Sequence, residues 1–127
     1  MIKREENRYK AECLTKVRLA LPKFVVIGHQ EYRQSGVPDV SITGYGHTTW
    51  WEFKHGTPDF DSTGIQNLTM RRLDAAGFAR YVIYQETETQ RRTMIVEPRY
   101  LDSLDTKVWC AGFDHQFVID FIKRVHG

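Results

Sequence analysis

Apolar positions recur at helical spacing near the start of the chain. Tyr9, Cys13, Val17 and Ala20 form one stripe with Leu14 and Leu21 beside it, and Pro22 ends it, so a helix is expected over residues 5 to 21. "KFVVIG" then reads as a buried strand, because β-branched residues follow a phenylalanine and a glycine closes the run. "HQEYRQSG" is polar loop, and "VPDVSITGYGHTTWWEFK" predicts two strands around a glycine-flanked turn. A second helix is expected over residues 62 to 76, with Ile65, Leu68, Thr69, Arg72, Leu73 and Ala76 on one side and Gly77 as its stop. "ARYVIYQ" and "RTMIVEP" are further strands joined by "ETETQR", followed by a short helix near residues 98 to 105. "DHQFVIDFIKRV" closes the pattern as a helix capped by Asp114, with Phe117, Phe121, Val125, Val118 and Ile122 on a wide apolar face. These elements predict an α/β chain with about five strands flanked by helices.

The hairpin carries the anomaly. Side chains alternate across a strand, so Trp51 and Phe53 share one face while Trp50, Glu52 and Lys54 share the other. On the preceding strand Val40 and Ile42 are apolar, and Asp39, Ser41 and Thr43 lie opposite them. For the apolar faces to coincide, Val40 and Ile42 must sit across from odd-numbered partners such as Trp51 and Thr49, which requires an even loop length. A Tyr45-Gly46 turn and a four-residue loop from Gly44 to His47 both satisfy this. Either way position 39 pairs with 52, and two carboxylates meet.

Like charges at cross-strand distance repel by about 0.2 to 1 kcal/mol, more if partly buried, unless a cation lies between them. A hard divalent ion fits that need. Mg²⁺ takes one or two carboxylates, waters and phosphate oxygens, and the backbone carbonyl of Phe53 is placed to add to the shell of Asp39 and Glu52. Lys54, on the same face, would position or deprotonate a water on the ion, or hold charge developing on a phosphate. The competing reading is a solvated sheet surface on which Glu52 and Lys54 form a weak ion pair and Asp39 begins a turn.

Composition narrows the classes. With 127 residues, 41% hydrophobic, 27% charged and four prolines, the chain suits one folded domain, residues 1–127, rather than a disordered or fibrous protein. Net charge is +2, so bulk electrostatics permits a phosphate-backbone partner without demanding one; Arg71-Arg72, Arg91-Arg92 and Lys123-Arg124 are local basic pairs. Cys13 and Cys110 lack metal-site spacing and read as reduced core residues. No run reaches membrane-span length and "MIKREENRYK" lacks a signal-peptide apolar segment, so the cytoplasm is expected.

The ordered set "SGVPDV", "WWEFKHG", "GIQNLTMRRLDAAG" and "ARYVIYQ", over residues 36 to 85, resembles the PD-(D/E)xK nuclease superfamily, and more narrowly its virus-type replication-repair nuclease (VRR-NUC) branch. That branch shows GxPD, a hairpin, ExK, a helix containing Gln and a following strand. The resemblance implies a restriction-endonuclease-like fold with a central mixed sheet, and a Mg²⁺- or Mn²⁺-dependent nuclease acting on DNA, including Holliday-junction or branched DNA. It also implies a phage or mobile-element setting in a bacterial host cell, and a homodimer as one assembly.

Carried over residue by residue, the resemblance makes Asp39 and Glu52 metal ligands, gives Lys54 the water, and has Gln66 support the site from its helix. A glutamate on the first helix joins them in the family; Glu6, on the buried stripe, is the candidate, ahead of Glu12 and Glu5. Gln66 has a second reading, since "TGIQ" from Thr63 matches a capping box. Asp59 and Asp61, in "TPDFDSTG", come after Glu52 and read as loop and helix-start residues. Arg33, His55 and Arg71 are candidate nucleic-acid contacts, and His29 also lies near the cleft. His47 is expected in the turn, with His115 and His126 remote from the site.

Overall fold

A computed structural model describes residues 2–29, 37–56, 64–101 and 107–127, with backbone alone at 2–5 and 107. Its elements are α1 (Ile2–Ala20), β1 (Val25–Gly28), β2 (Val40–Gly44), β3 (His47–Gly56), α2 (Ile65–Ala76), β4 (Ala79–Glu86), β5 (Arg91–Val96), a 3-10 turn at Pro98–Tyr100, β6 (Lys107–Ala111) and α3 (His115–His126). The strands form one mixed sheet in sequence order. All neighbours run antiparallel except β3 and β4, whose parallel pairing requires a crossover, supplied by the segment containing α2.

The hairpin adopts the shorter of the two even loops. Gly44 pairs with His47, leaving Tyr45 and Gly46 as the turn, with φ of 51° and 81°. Positive φ at both positions is the conformation whose twist matches the flanking strands, and Gly46 takes it without a Cβ penalty. Val40 then faces Trp51 and Ile42 faces Thr49, the register that parity requires. His47 opens β3 instead of sitting in the turn.

Two layers cover the sheet. Cys13, Leu14 and Val17 of α1 and Val118, Ile119 and Ile122 of α3 bury Val40, Ile42, Trp51, Phe53, Val82 and Tyr84 on one face. On the other, Met70 of α2 packs with Tyr81, Ile83, Met94, Val96 and Leu101. Asp114 caps α3 through its Oδ1, which accepts from the amides of Gln116 at 2.9 Å and Phe117 at 3.2 Å. The far end of α3 is fixed to the hairpin: His126 bonds Gly44 O through Nδ1 at 3.1 Å and Thr49 Oγ1 through Nε2 at 2.8 Å.

Several expectations are corrected. The sheet has six strands, not about five. The extra strand, β6, is a five-residue edge whose Val108 and Trp109 are half-exposed, so its apolar residues carry no inside-outside alternation. The helix expected near 98 to 105 is a single 3-10 turn, with 102–106 outside the described residues. β1 is not buried but an edge strand: Val25 is 55% and Ile27 48% exposed, because α2 packs over β3, β4 and the 3-10 turn.

The buried face of α2 holds Asn67 and Met70, leaving Ile65 and Leu68 exposed. Asn67 is drawn inward by the hydroxyl of Tyr81, which donates to its Oδ1 at 2.8 Å. Cys13 is buried as expected, whereas Cys110 is only partly so, and both are free thiols. No helix among the described residues is long and apolar enough to cross a membrane.

Candidate metal and active site

The site forms where one strand of the hairpin stops and the other continues. β2 begins at Val40, opposite Trp51, while β3 runs on to Gly56. Odd-numbered backbone groups of β3 face β2, so Phe53 and His55 have no ladder partner on that side. Carboxylates take the vacated positions. Asp39 Oδ2 accepts from the Phe53 amide at 3.1 Å, and the Asp39 amide donates in turn to Glu52 Oε1 at 2.9 Å. The next unpaired amide, that of His55, lies near enough to the Glu6 carboxylate of α1 to favour its ionised form. The Phe53 carbonyl, on the same side of the strand as its amide, also faces this edge.

Two ammonium groups accompany the carboxylates. Lys54 Nζ donates to Gln66 Oε1 at 2.9 Å and lies 3.9 Å from Glu52 Oε2. Gln66 therefore serves Lys54; the N-cap of α2 is Gly64, with no side-chain cap, and Thr63 lies outside the described residues. From α1, Lys10 Nζ lies 3.6 Å from Asp39 Oδ1. Glu52 is 3% and Lys10 9% exposed, so neither belongs to a solvated surface.

Burial, then the nearby Asp39 charge, push the Glu52 carboxyl up to about 8, against the opposing pull of Lys54. The Glu6 carboxyl is also raised, chiefly by burial, with Lys54 drawing it down and Asp39 pushing it up. Three carboxyl groups and two ammonium groups therefore share a partly dry edge, where ionising all three carboxyls calls for further positive charge.

That donor set suits a hard divalent cation. Each oxygen of Asp39 and Glu52 has one bond or ion contact assigned and acceptor capacity left over. No three His, Cys, Asp or Glu side chains among the described residues are gathered closely enough to hold a metal by themselves. Mg²⁺ in proteins commonly keeps several waters and uses only one or two carboxylates.

Among the expected residues, Asp39, Glu52, Lys54 and Gln66 are brought together, with the Phe53 backbone at the same edge and Glu6 near enough for Lys54 and Asp39 to shift its carboxyl. Glu12 turns elsewhere, its Oε2 lying 3.3 Å from His115 Nε2. The ring of His55 does not face the site. It stacks on Tyr9 at 5.2 Å and meets Phe113 edge-on at 5.8 Å, because residue 55 shares the face of Phe53 and not that of Lys54. Arg71 is exposed beside a cavity lined by Asp74, Ala75, Glu97 and Arg99.

His29 Nε2 bonds Ser41 Oγ at 2.7 Å, one position along β2 from the pair at its start. Arg33, Asp59, Asp61 and the Glu5 side chain lie outside the described residues.

Lys10 is the site residue that sequence reasoning missed. The signal was present: it stands one helical turn after Glu6 and three residues before Cys13, a charge on the buried stripe. Compared with known proteins, the chain matches no protein-family model and no curated protein sequence.

Proposed function

We propose that this protein is a metal-dependent nuclease of the PD-(D/E)xK superfamily, close to the VRR-NUC branch, built on the restriction-endonuclease-like form of its α/β fold. The observation that carries the reading is the pairing of a buried Glu52 with a partly exposed Asp39, cross-bonded through the backbone, with Lys54 held beside them by Gln66. Structural ion pairs normally match one acid with one base. Here a third carboxylate is added and the Glu52 carboxyl is raised, a combination whose ionised form a divalent cation would balance.

Asp39 and Glu52 would hold Mg²⁺ or Mn²⁺, with the Phe53 carbonyl and Glu6 beside them. When bound, the ion supplies Lewis-acid polarisation of a phosphodiester. The chain's own groups do the rest. Glu52, ionised once a cation is present, accepts hydrogen bonds from water; Lys54, restrained by Gln66, presents an ammonium to the phosphate and offsets charge as it develops. The proposed substrate is DNA, including branched DNA, with a homodimer presenting two sites to a symmetric junction and the bacterial or phage-infected cytoplasm as the setting.

The test is cleavage of labelled linear, single-stranded and four-way-junction DNAs with Mg²⁺ or Mn²⁺, comparing wild type, Lys54→Ala and an EDTA control. Metal-dependent cutting that Lys54→Ala abolishes supports the nuclease. Binding without cutting under either metal assigns the chain instead to a noncatalytic DNA-binding or assembly class.

A further inference from the structure

Lys10 requires a physical account of its own. Side chains on a helix lean towards its N-terminus, so the four-carbon stem of Lys10 runs back over the turn that carries Glu6 and delivers its ammonium to Asp39. The ammonium of a lysine only 9% exposed is stable where an opposite charge compensates it. The two lysines divide the pair between them: Lys54 stands against Glu52 and Lys10 against Asp39.

They are not held equally. Lys54 is tied to Gln66 by a 2.9 Å hydrogen bond, whereas Lys10 meets Asp39 through a 3.6 Å ion pair, too long for a hydrogen bond. A divalent ion entering at Asp39 and Glu52 brings two positive charges into a site that already holds two ammonium groups. The group with the weaker tether gives way.

We propose that Lys10 is the resident counter-cation of Asp39, and that a divalent ion loads by displacing its ammonium. Loading is then an exchange of cations, not the filling of a bare acidic hole. In the absence of metal, Lys10 compensates Asp39 and preserves the folded edge. Once displaced, the ammonium remains tethered to α1 beside the site, free to meet an anionic phosphate. This inference rests on the metal-site reading given above, and its consequences can be measured without substrate.

The first experiment measures Mn²⁺ binding by calorimetry, and the Mn²⁺-induced rise in melting temperature, for wild type, Lys10→Met, Lys10→Arg and Asp39→Asn at one pH. Lys10→Met keeps most of the apolar stem and removes the charge, so it should bind Mn²⁺ about tenfold more tightly, melt lower without metal and gain more from metal. Lys10→Arg should stay within about threefold of wild type. Equal or weaker binding by Lys10→Met overturns the proposal. If Asp39→Asn still abolishes binding in that case, the metal site stands and only the exchange fails; no binding by wild type or Lys10→Met removes both.

A second measurement uses wild type alone, in case Lys10→Met does not fold. Lysine acylation followed by peptide mass spectrometry should show Lys10 labelling several-fold faster with saturating Mg²⁺, while exposed Lys23 is unchanged. Equal labelling of Lys10 with and without the ion overturns the exchange.

Discussion

The amide of Asp39 donates to the carboxylate of Glu52 at 2.9 Å, while the carboxylate of Asp39 accepts from the amide that follows Glu52, that of Phe53, at 3.1 Å. Each acid thus restrains the other through the backbone, and their spacing does not depend on a bound ion. Asp39→Asn keeps an acceptor for the Phe53 amide and removes the charge. It should lower the metal-free melting temperature, because Lys10 loses its counter-charge, and weaken Mn²⁺ binding on the order of 100-fold, measured by calorimetry. Unchanged Mn²⁺ affinity would remove Asp39 from the metal site.

Lys54 and Gln66 separate chemistry from metal binding. Lys54→Ala should retain Mn²⁺ binding and reduce single-turnover cleavage at saturating metal by at least about 100-fold. Gln66→Ala leaves the ammonium in place but loosens it, so a smaller loss, roughly tenfold, is expected. A Gln66→Ala enzyme as fast as wild type would reduce the 2.9 Å contact to packing.

The Glu52 carboxyl sets a pH dependence with a definite sign. In the unfolded chain it loses its proton near 4.5 and in the folded chain near 8, so between those values the folded state holds a proton that the unfolded state has released. Metal-free stability should therefore fall as pH rises from about 4.5 to about 8 and level off above, with Glu52→Gln removing that part of the slope. A divalent ion favours the ionised carboxyl, so Mg²⁺ should raise the melting temperature more at pH 8 than at pH 5. Denaturant melts across this range check both statements; identical slopes for wild type and Glu52→Gln would contradict them.

Two glycines in the first two strands should respond differently to alanine. A Cβ on Gly44 would stand 2.8 to 2.9 Å from three ring carbons of Phe24, whereas one on Gly28 would meet nothing within 4 Å. Gly44→Ala should cost about 1 to 3 kcal/mol, seen as a fall of several degrees in melting temperature, and Gly28→Ala should be close to neutral. Equal effects would mean that Phe24 moves aside freely.

The parts of this structure legible in the sequence are those set by periodicity and covalent geometry. Period-two alternation in "VSI" and "TTWWEFK" was enough to place Val40 against Trp51, and with it Asp39 beside Glu52. Asp114 was readable as a cap because its chemistry is local. The face of α2 was not legible, since counting apolar residues favoured Ile65 and Leu68 over Asn67, whose burial depends on a tyrosine fourteen residues away. β1 looked buried because its residues are apolar, but whether a helix covers a strand is decided by where α2 crosses the sheet. Lys10 escaped notice because a lone lysine on a helix is nearly always solvated, and its partner comes from the start of another element.

The Tyr45-Gly46 turn lies at the opposite end of the hairpin from Asp39 and Glu52. It nevertheless acts as their ruler. One residue more or less there would reverse the inside-outside assignment of β2 against β3, sending either the apolar side chains or the acids to the wrong side of the sheet. Insertions that the exposed turn could hold sterically would therefore disable the distant acid pair, and only even changes in its length preserve the alignment of the two strands.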